Sequence, residues 1–242
     1  MRQRVWQLSE RYFSPGQTIL ELGCGTGIDA IHFASQGLNW WATDSSSTML
    51  ELTNRKGKAI TNKDKIHIHQ FDINEPNKAK AINQDNAFDG IFANFGVLNC
   101  IHNLEKFCEF SSEILKEEGI LFANVMSKTC LWEIGYYLLR GYPLKAFRRF
   151  KKSKSLVPIG DRFIDTQYFS TNHFIDSLKN NFQLEVIYGL GVVVPPPYLN
   201  GWIERHPKIF AAMKWTDQKI STFPVICGLG DHFIVVLRKV HQ

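Results

Sequence analysis

From residue 18 to residue 125, short apolar runs alternate with segments of helical period. Residues 18–22 read as a strand that runs straight into glycines. Residues 28–36 carry Ile31, Phe33 and Ala34 at helical spacing, with Gly37 as the stop. A second strand over 38–43 ends at Asp44. Ser45-Ser46-Ser47 then reads as the cap of a helix through Met49 and Leu52. Further strands are predicted over 66–71, ending at Asp72, over 88–95, and over 119–125, with a helix over 104–115. Strand–helix alternation of this kind predicts an α/β fold with a parallel sheet covered on both faces. Ligands on such sheets bind at the carboxyl ends of the strands. Asp44, Asp72 and Asn94 all fall at those ends, although Asp and Asn also favour turns for their own sake.

After residue 125 the pattern changes. Residues 127–165 are aromatic and basic, with no clear strand. Two more strands are predicted over 182–194 and 232–240. Between them lie Pro195-Pro196-Pro197 and an amphipathic helix over 207–222, with Ile209, Met213, Thr216 and Ile220 on one stripe. The expectation is a single domain over 1–242. It carries a cap-like insertion at about 127–165 and a second insertion at about 195–231.

Composition adds bounds. The chain has 242 residues, 44% hydrophobic and 21% charged, enough for one domain with its own core. No apolar run reaches the ~20 residues that span a bilayer. The first residues lack a signal-peptide stretch, so a cytoplasmic protein is expected. Five cysteines without C-x-x-C spacing argue against a disulfide framework and against a zinc site, so no metal is expected. A net charge of +5 permits an acidic partner without requiring one. Oligomeric state is not readable from these features.

The chemistry begins at Gly23-Cys24-Gly25-Thr26-Gly27, where a strand meets a helix. Glycines allow the sharp turn and let a ligand approach the backbone, and the unpaired amides of a helix start suit an anion. A dinucleotide-binding fingerprint needs glycine where Ile28 stands. Glu21, two residues before the first glycine, would repel a pyrophosphate and suits a ligand carrying an ammonium group. The absence of G-K-[S/T] excludes a P-loop.

Glu21-Leu22-Gly23-Cys24-Gly25-Thr26-Gly27 resembles the first motif of class I S-adenosylmethionine-dependent methyltransferases. The resemblance runs motif by motif from about Trp6 to Val125, and more loosely through the last strands. It implies a Rossmann-like, doubly wound seven-stranded sheet, mostly parallel with an antiparallel C-terminal strand. It implies S-adenosyl-L-methionine as cofactor and S-adenosyl-L-homocysteine as product. Asp44, with Ser45 beside it, matches the acid that takes the ribose hydroxyls, since two carboxylate oxygens can accept from a vicinal diol. Asp72 and Ile73 match the adenine contact, with Met49 packed on the ring. Asn94 and Phe95 match the segment beside the methionine and methyl group. The tail, with Gly189-Leu190-Gly191, His206-Pro207 and Gly230-Asp231-His232, is similar to bacterial small-molecule methyltransferases. Members of the family carry more residues before the first strand, forming a lid. Here a single short helix is expected there, and hence a lid that is missing or reduced.

The acceptor side is less legible. Methyl transfer is an in-line displacement, and a general base is needed only if the nucleophile arrives protonated. His102 and Tyr168 are candidate catalytic groups, and Asn99, His102 and Tyr168 are candidate substrate contacts. Asp231-His232 looks like a dyad, but neighbours on a strand point to opposite faces. His173 and His206 read as structural. The basic, aromatic insertion leaves three readings open: a solvated basic helix, a lid for an acidic small substrate, or a nucleic-acid or anionic-membrane surface. The lack of a separate RNA-binding module argues against nucleic acid as a partner. The expected function is methyl transfer to nitrogen, oxygen or carbon of a small molecule in specialised metabolism. An RNA or protein methyltransferase and a non-catalytic donor-binding subunit are the alternatives.

Overall fold

The computed structural model describes residues 1–76, 82, 88–150, 155–159, 162–195 and 200–241. Lys151, Lys152, Lys154, Pro196, Pro197 and Tyr198 lie outside them. Seven strands form one sheet: β1 (Thr18–Leu22), β2 (Asn39–Asp44), β3 (Ile66–Gln70), β4 (Phe88–Ala93), β5 (Leu115–Met126), β8 (Phe182–Leu190) and β9 (His232–Lys239), in the order β3-β2-β1-β4-β5-β9-β8. The first five pair in parallel, and β9 runs antiparallel between β5 and β8. The strand order reverses between β1 and β4, which opens a crevice at their carboxyl ends.

Alternation along the strands divides the core. Leu20, Ile91, Leu121, Phe233 and Val235 face one side, against Leu104, Phe107, Phe110 and Ile114 of α4 (Leu104–Ile114) and Phe174 of α7 (Thr171–Asp176). Ile19, Phe92, Phe122, Ile234 and Val236 face the other, against Val5 and Leu8 of α1 (Arg2–Ser9), Ala30 and Phe33 of α2 (Ile28–Ser35), and Leu50 of α3 (Ser47–Gly57). Such strands, buried on both faces, read as near-continuous apolar runs. Ser46 caps α3 by accepting from the Met49 amide, and Asn103 caps α4 by accepting from that of Lys106.

Several expectations are corrected. Strand β5 begins at Leu115, not Gly119; Leu115 pairs with Phe88 before the register shifts at Gly90. The 127–165 segment holds α5 (Leu131–Leu139), α6 (Pro143–Ala146) and a hairpin of β6 (Ser155–Ile159) and β7 (Arg162–Thr166), where no strand was expected. Between β8 and β9 lie α8 (Asn200–Arg205) and α9 (Pro207–Ile220). In α9 Ile209 is exposed and Asp217 is the buried residue. Its carboxylate accepts from the Gly191 and Val193 amides, so a polar cap on the loop after β8 replaces the apolar seam.

Asp231 lies just before β9, not on it, and strand alternation does not separate it from His232. His232 Nδ1 sits 3.0 Å from Asp231 Oδ2, though the ring N–H is not aimed along a hydrogen bond. Arg149, buried, donates to Asp231 Oδ1, to Glu133 Oε2, and to the carbonyls of Ser127 and Asp231. Burial alone would raise the Asp231 carboxyl. Its contacts with His232 and Arg149 outweigh that and hold it well below the usual carboxylate range. This network pins the α5–α6 segment to the ends of β5 and β9. Arg149→Ala removes the buried cation that Glu133 and Asp231 share, leaving Glu133 only the half-exposed Arg148, and should cost about 3 kcal/mol in urea unfolding. A loss below about 1 kcal/mol would show the network to be dispensable.

Candidate active site

The turn from β1 into α2 is made of glycines with left-handed backbone: φ is 68° at Gly23, 53° at Gly25 and 74° at Gly27. A Cβ at Gly27 would meet the Thr53 side chain at 2.6 Å, whereas at Gly25 nothing lies within 4 Å. The first glycine packs the turn onto α3; the second leaves the backbone open to a ligand. The Cys24 amide donates to the Thr43 carbonyl at 2.8 Å and fixes the turn on β2.

A cavity of about 760 Å³ opens here, within the range of small-molecule sites. Gly23, Cys24, Gly25, Thr26, Asp44, Ser45, Met49, Asp72, Ile73, Asn94, Phe95 and His102 all border it. Asp44 accepts from the Gly25 amide on Oδ2 and from the Ser46 amide on Oδ1, each at 2.9 Å. One amide per oxygen leaves each oxygen a lone pair for a further donor. Asp72 accepts from the Asn74 amide. Asn74 in turn donates to the Cys100 carbonyl and accepts from the His102 amide, which ties the loop after β3 to the one after β4.

Four of the expected residues do not border the cavity: Glu21, Gly27, Asn99 and Tyr168. Gly27 caps α2 behind the turn. Asn99 is fully buried, and its amide joins the Met126 and Gln167 backbone. Tyr168 lies under the Arg149 guanidinium, 5.0 Å from the ring centre.

Arg2, Asp29, Cys100 and Asp165, which the sequence did not single out, are among the other residues that border it. Asp29 is buried and accepts from Arg2, from the Trp6 indole at 2.7 Å and from Asn94 at 2.8 Å. The Arg2 guanidinium lies 4.5 Å over the Phe95 ring. The one short helix before β1 therefore reaches the cavity. An acid at the second position of α2, where the helix dipole favours it, was the only signal. Asp165 arrives on β7, in the hairpin the sequence did not reveal.

Solved structures share this fold. A Listeria monocytogenes protein described as an S-adenosylmethionine-dependent methyltransferase is 16% identical, with TM-score 0.64 and 100% of both chains covered. The CcbJ methyltransferase of Streptomyces caelestis is 15% identical, with TM-score 0.63, over 98% of this chain and 89% of that one. The cyclase SpnF is 16% identical, with TM-score 0.60, over 99% and 82%. At such identities the likeness is one of fold, and a fold does not fix a reaction. No curated protein matches the chain. Residues 19–119, however, match the family profile described as Methyltransferase domain. That match spans the glycine turn, Asp44, Asp72 and Asn94, so the segment that builds most of the cavity is the one similar to a methyltransferase domain.

In this segment the motif acid Glu21 is 1% exposed and accepts from the Trp40 indole at 2.6 Å. Burial, reinforced by nearby Asp29 and opposed by the Trp40 hydrogen bond, pushes its carboxyl up to about 8. It is therefore a neutral acid at pH 7. Between its unfolded value near 4.5 and about 8, the folded state holds a proton that the unfolded state has lost. Its contribution is thus most favourable below the unfolded value and declines as pH rises through that window. The slope is at most about 1.4 kcal/mol per pH unit. Glu21→Gln keeps an acceptor for Trp40 and removes the proton. Its melting temperature relative to wild type should climb as pH is raised from 5 to 8. A constant offset across those pH values would refute the buried neutral acid.

Proposed function

We propose that this chain transfers a methyl group from S-adenosyl-L-methionine to a small-molecule acceptor. The observation that carries the substrate class is the charge of the cavity. Beyond the Arg2–Asp29 ion pair, Asp44, Asp72 and Asp165 border it, and Arg2 is the one Lys or Arg among the described residues that do. An acidic, concave wall suits a small neutral or cationic acceptor and repels a phosphate backbone. The five cysteines are free thiols, which accords with a reducing, cytoplasmic setting.

When bound, the donor supplies an electrophilic methyl on a sulfonium sulfur. The residues present fit it. Asp44 would hold the ribose diol with its spare lone pairs. Met49 and Ile73 would contact the adenine, and Asp72 would accept from the adenine amine. Arg2, Asn94 and Phe95 would meet the methionine end. His102, Cys100 and Asp165 border the remaining space and define the acceptor side. There the chain's task is to place a lone pair in line with the methyl group. Where the nucleophile carries a proton, His102 receives it.

Asp44→Ala should weaken S-adenosylhomocysteine binding roughly 10- to 100-fold in calorimetry, the worth of hydrogen bonds to a charged acceptor. His102→Ala should leave that affinity unchanged and lower turnover about 100-fold. Wild-type turnover in His102→Ala would remove it from the proton path. Labelled donor, offered with panels of small amines, alcohols and carbon acids and with RNA and proteins, tests the substrate class. Labelling confined to the small molecules supports the reading, and labelling of RNA or protein alone overturns it.

A further inference from the structure

Helices α5 and α6 form a hairpin whose tip projects from the protein. Its turn is a tight helix stop: Gly141 is left-handed at φ 75°, its amide donates to Leu138, and the Tyr142 amide donates to Tyr137 at 2.8 Å. Pro143 then starts α6, where its missing N–H costs nothing. The turn leaves large apolar side chains in water. Leu139 is 92% exposed and Leu144 83%, with Leu138, Tyr142 and Phe147 about half exposed beside them. Apolar side chains on a protein surface are unremarkable singly, but clustered at one protruding turn they mark a contact.

The charge around this tip has one sign. The described residues 127–150 contain five Lys and Arg and a single acid, Glu133. That acid is buried and bound to Arg148 and Arg149, so it offers no negative charge at the surface. Arg140 and Lys145 flank the tip, lying over the Tyr136 and Tyr142 rings. The Arg149 network roots the hairpin in the ends of β5 and β9, so the tip is presented on a fixed base.

The geometry points to a lipid bilayer bearing anionic headgroups as the partner of this tip: Leu139, Leu144 and Tyr142 enter the headgroup–acyl boundary while Arg140 and Lys145 meet the phosphates. Aliphatic side chains ringed by cations are what such an interface accepts. A second copy of the chain meeting the same face would bring like charges together across the symmetry axis. A nucleic acid would satisfy the cations and leave Leu139 and Leu144 in water. Among the described residues no helix is long and apolar enough to cross a membrane, so the contact is peripheral.

Co-sedimentation of the full chain with vesicles tests this. Wild type should partition onto vesicles of equal phosphatidylglycerol and phosphatidylcholine, and not onto phosphatidylcholine alone. The Leu139→Ser/Leu144→Ser double variant should lose at least about tenfold in partition, and Lys145→Glu should also weaken it. Both variants should keep wild-type melting and S-adenosylhomocysteine binding, because the altered side chains are exposed and remote from the cavity lining. No partition of wild type onto the anionic vesicles, equal partition onto both kinds, or undiminished partition of the double variant would overturn the proposal. A concentration-dependent dimer abolished by the same double substitution would assign the face to a second copy instead.

Discussion

The Asp29 carboxylate is buried where the chain turns from β1 into α2, at the edge of the cavity, and side chains from α1 and from the end of β4 converge to satisfy it. A buried carboxylate is costly unless it is paired and hydrogen-bonded. Arg2 and Trp6 of α1 supply a cation and an indole N–H, and Asn94 supplies an amide from the end of β4. Asn94 is fixed in turn by the Phe95 amide and by Asn124 of β5, both donating to its Oδ1. One carboxylate therefore links the first helix, the glycine turn and two neighbouring strands. It sets the position of Phe95, which holds a left-handed φ of 51° under the Arg2 guanidinium. Non-glycine residues in that region persist only where their surroundings over-determine them.

The same constraint explains what could be read in advance. The glycine turn, the apolar strands and the polar residues at their ends are local patterns, and periodicity exposes them. Asp44, Asp72 and Asn94 converge because a parallel sheet brings its carboxyl ends together. The partners of Asp29 are different in kind. Arg2 and Asp29 are 27 residues apart, Asp29 and Asn94 are 65 apart, and no local pattern records either contact. The β6–β7 hairpin escaped because Pro158 stands inside β6 and proline argues against strand. Asn99 looked like a substrate contact because it is polar and near the fourth strand. Its amide is needed to satisfy buried backbone groups, a demand that only packing reveals. Glu21 shows the limit of reading a motif by charge. Its carboxylate was expected to meet an ammonium group, yet it faces Trp40 inside the core.

The net charge of +5 conceals a separation of sign. Acids border the cavity, and cations gather on the segment that follows β5. The overall balance predicts neither field. Their junction is the Arg149 network, where Glu133 and Asp231 neutralise a buried guanidinium behind Phe95 and His232.

A crystal structure with S-adenosylhomocysteine bound tests the donor assignment most directly. The account predicts the ribose hydroxyls on Asp44, the adenine between Met49 and Ile73, and the homocysteine end beside Gly23, Asn94 and Arg2. A ligand seated elsewhere, or a chain that refuses S-adenosylhomocysteine and binds a nicotinamide dinucleotide at the glycine turn, would contradict it.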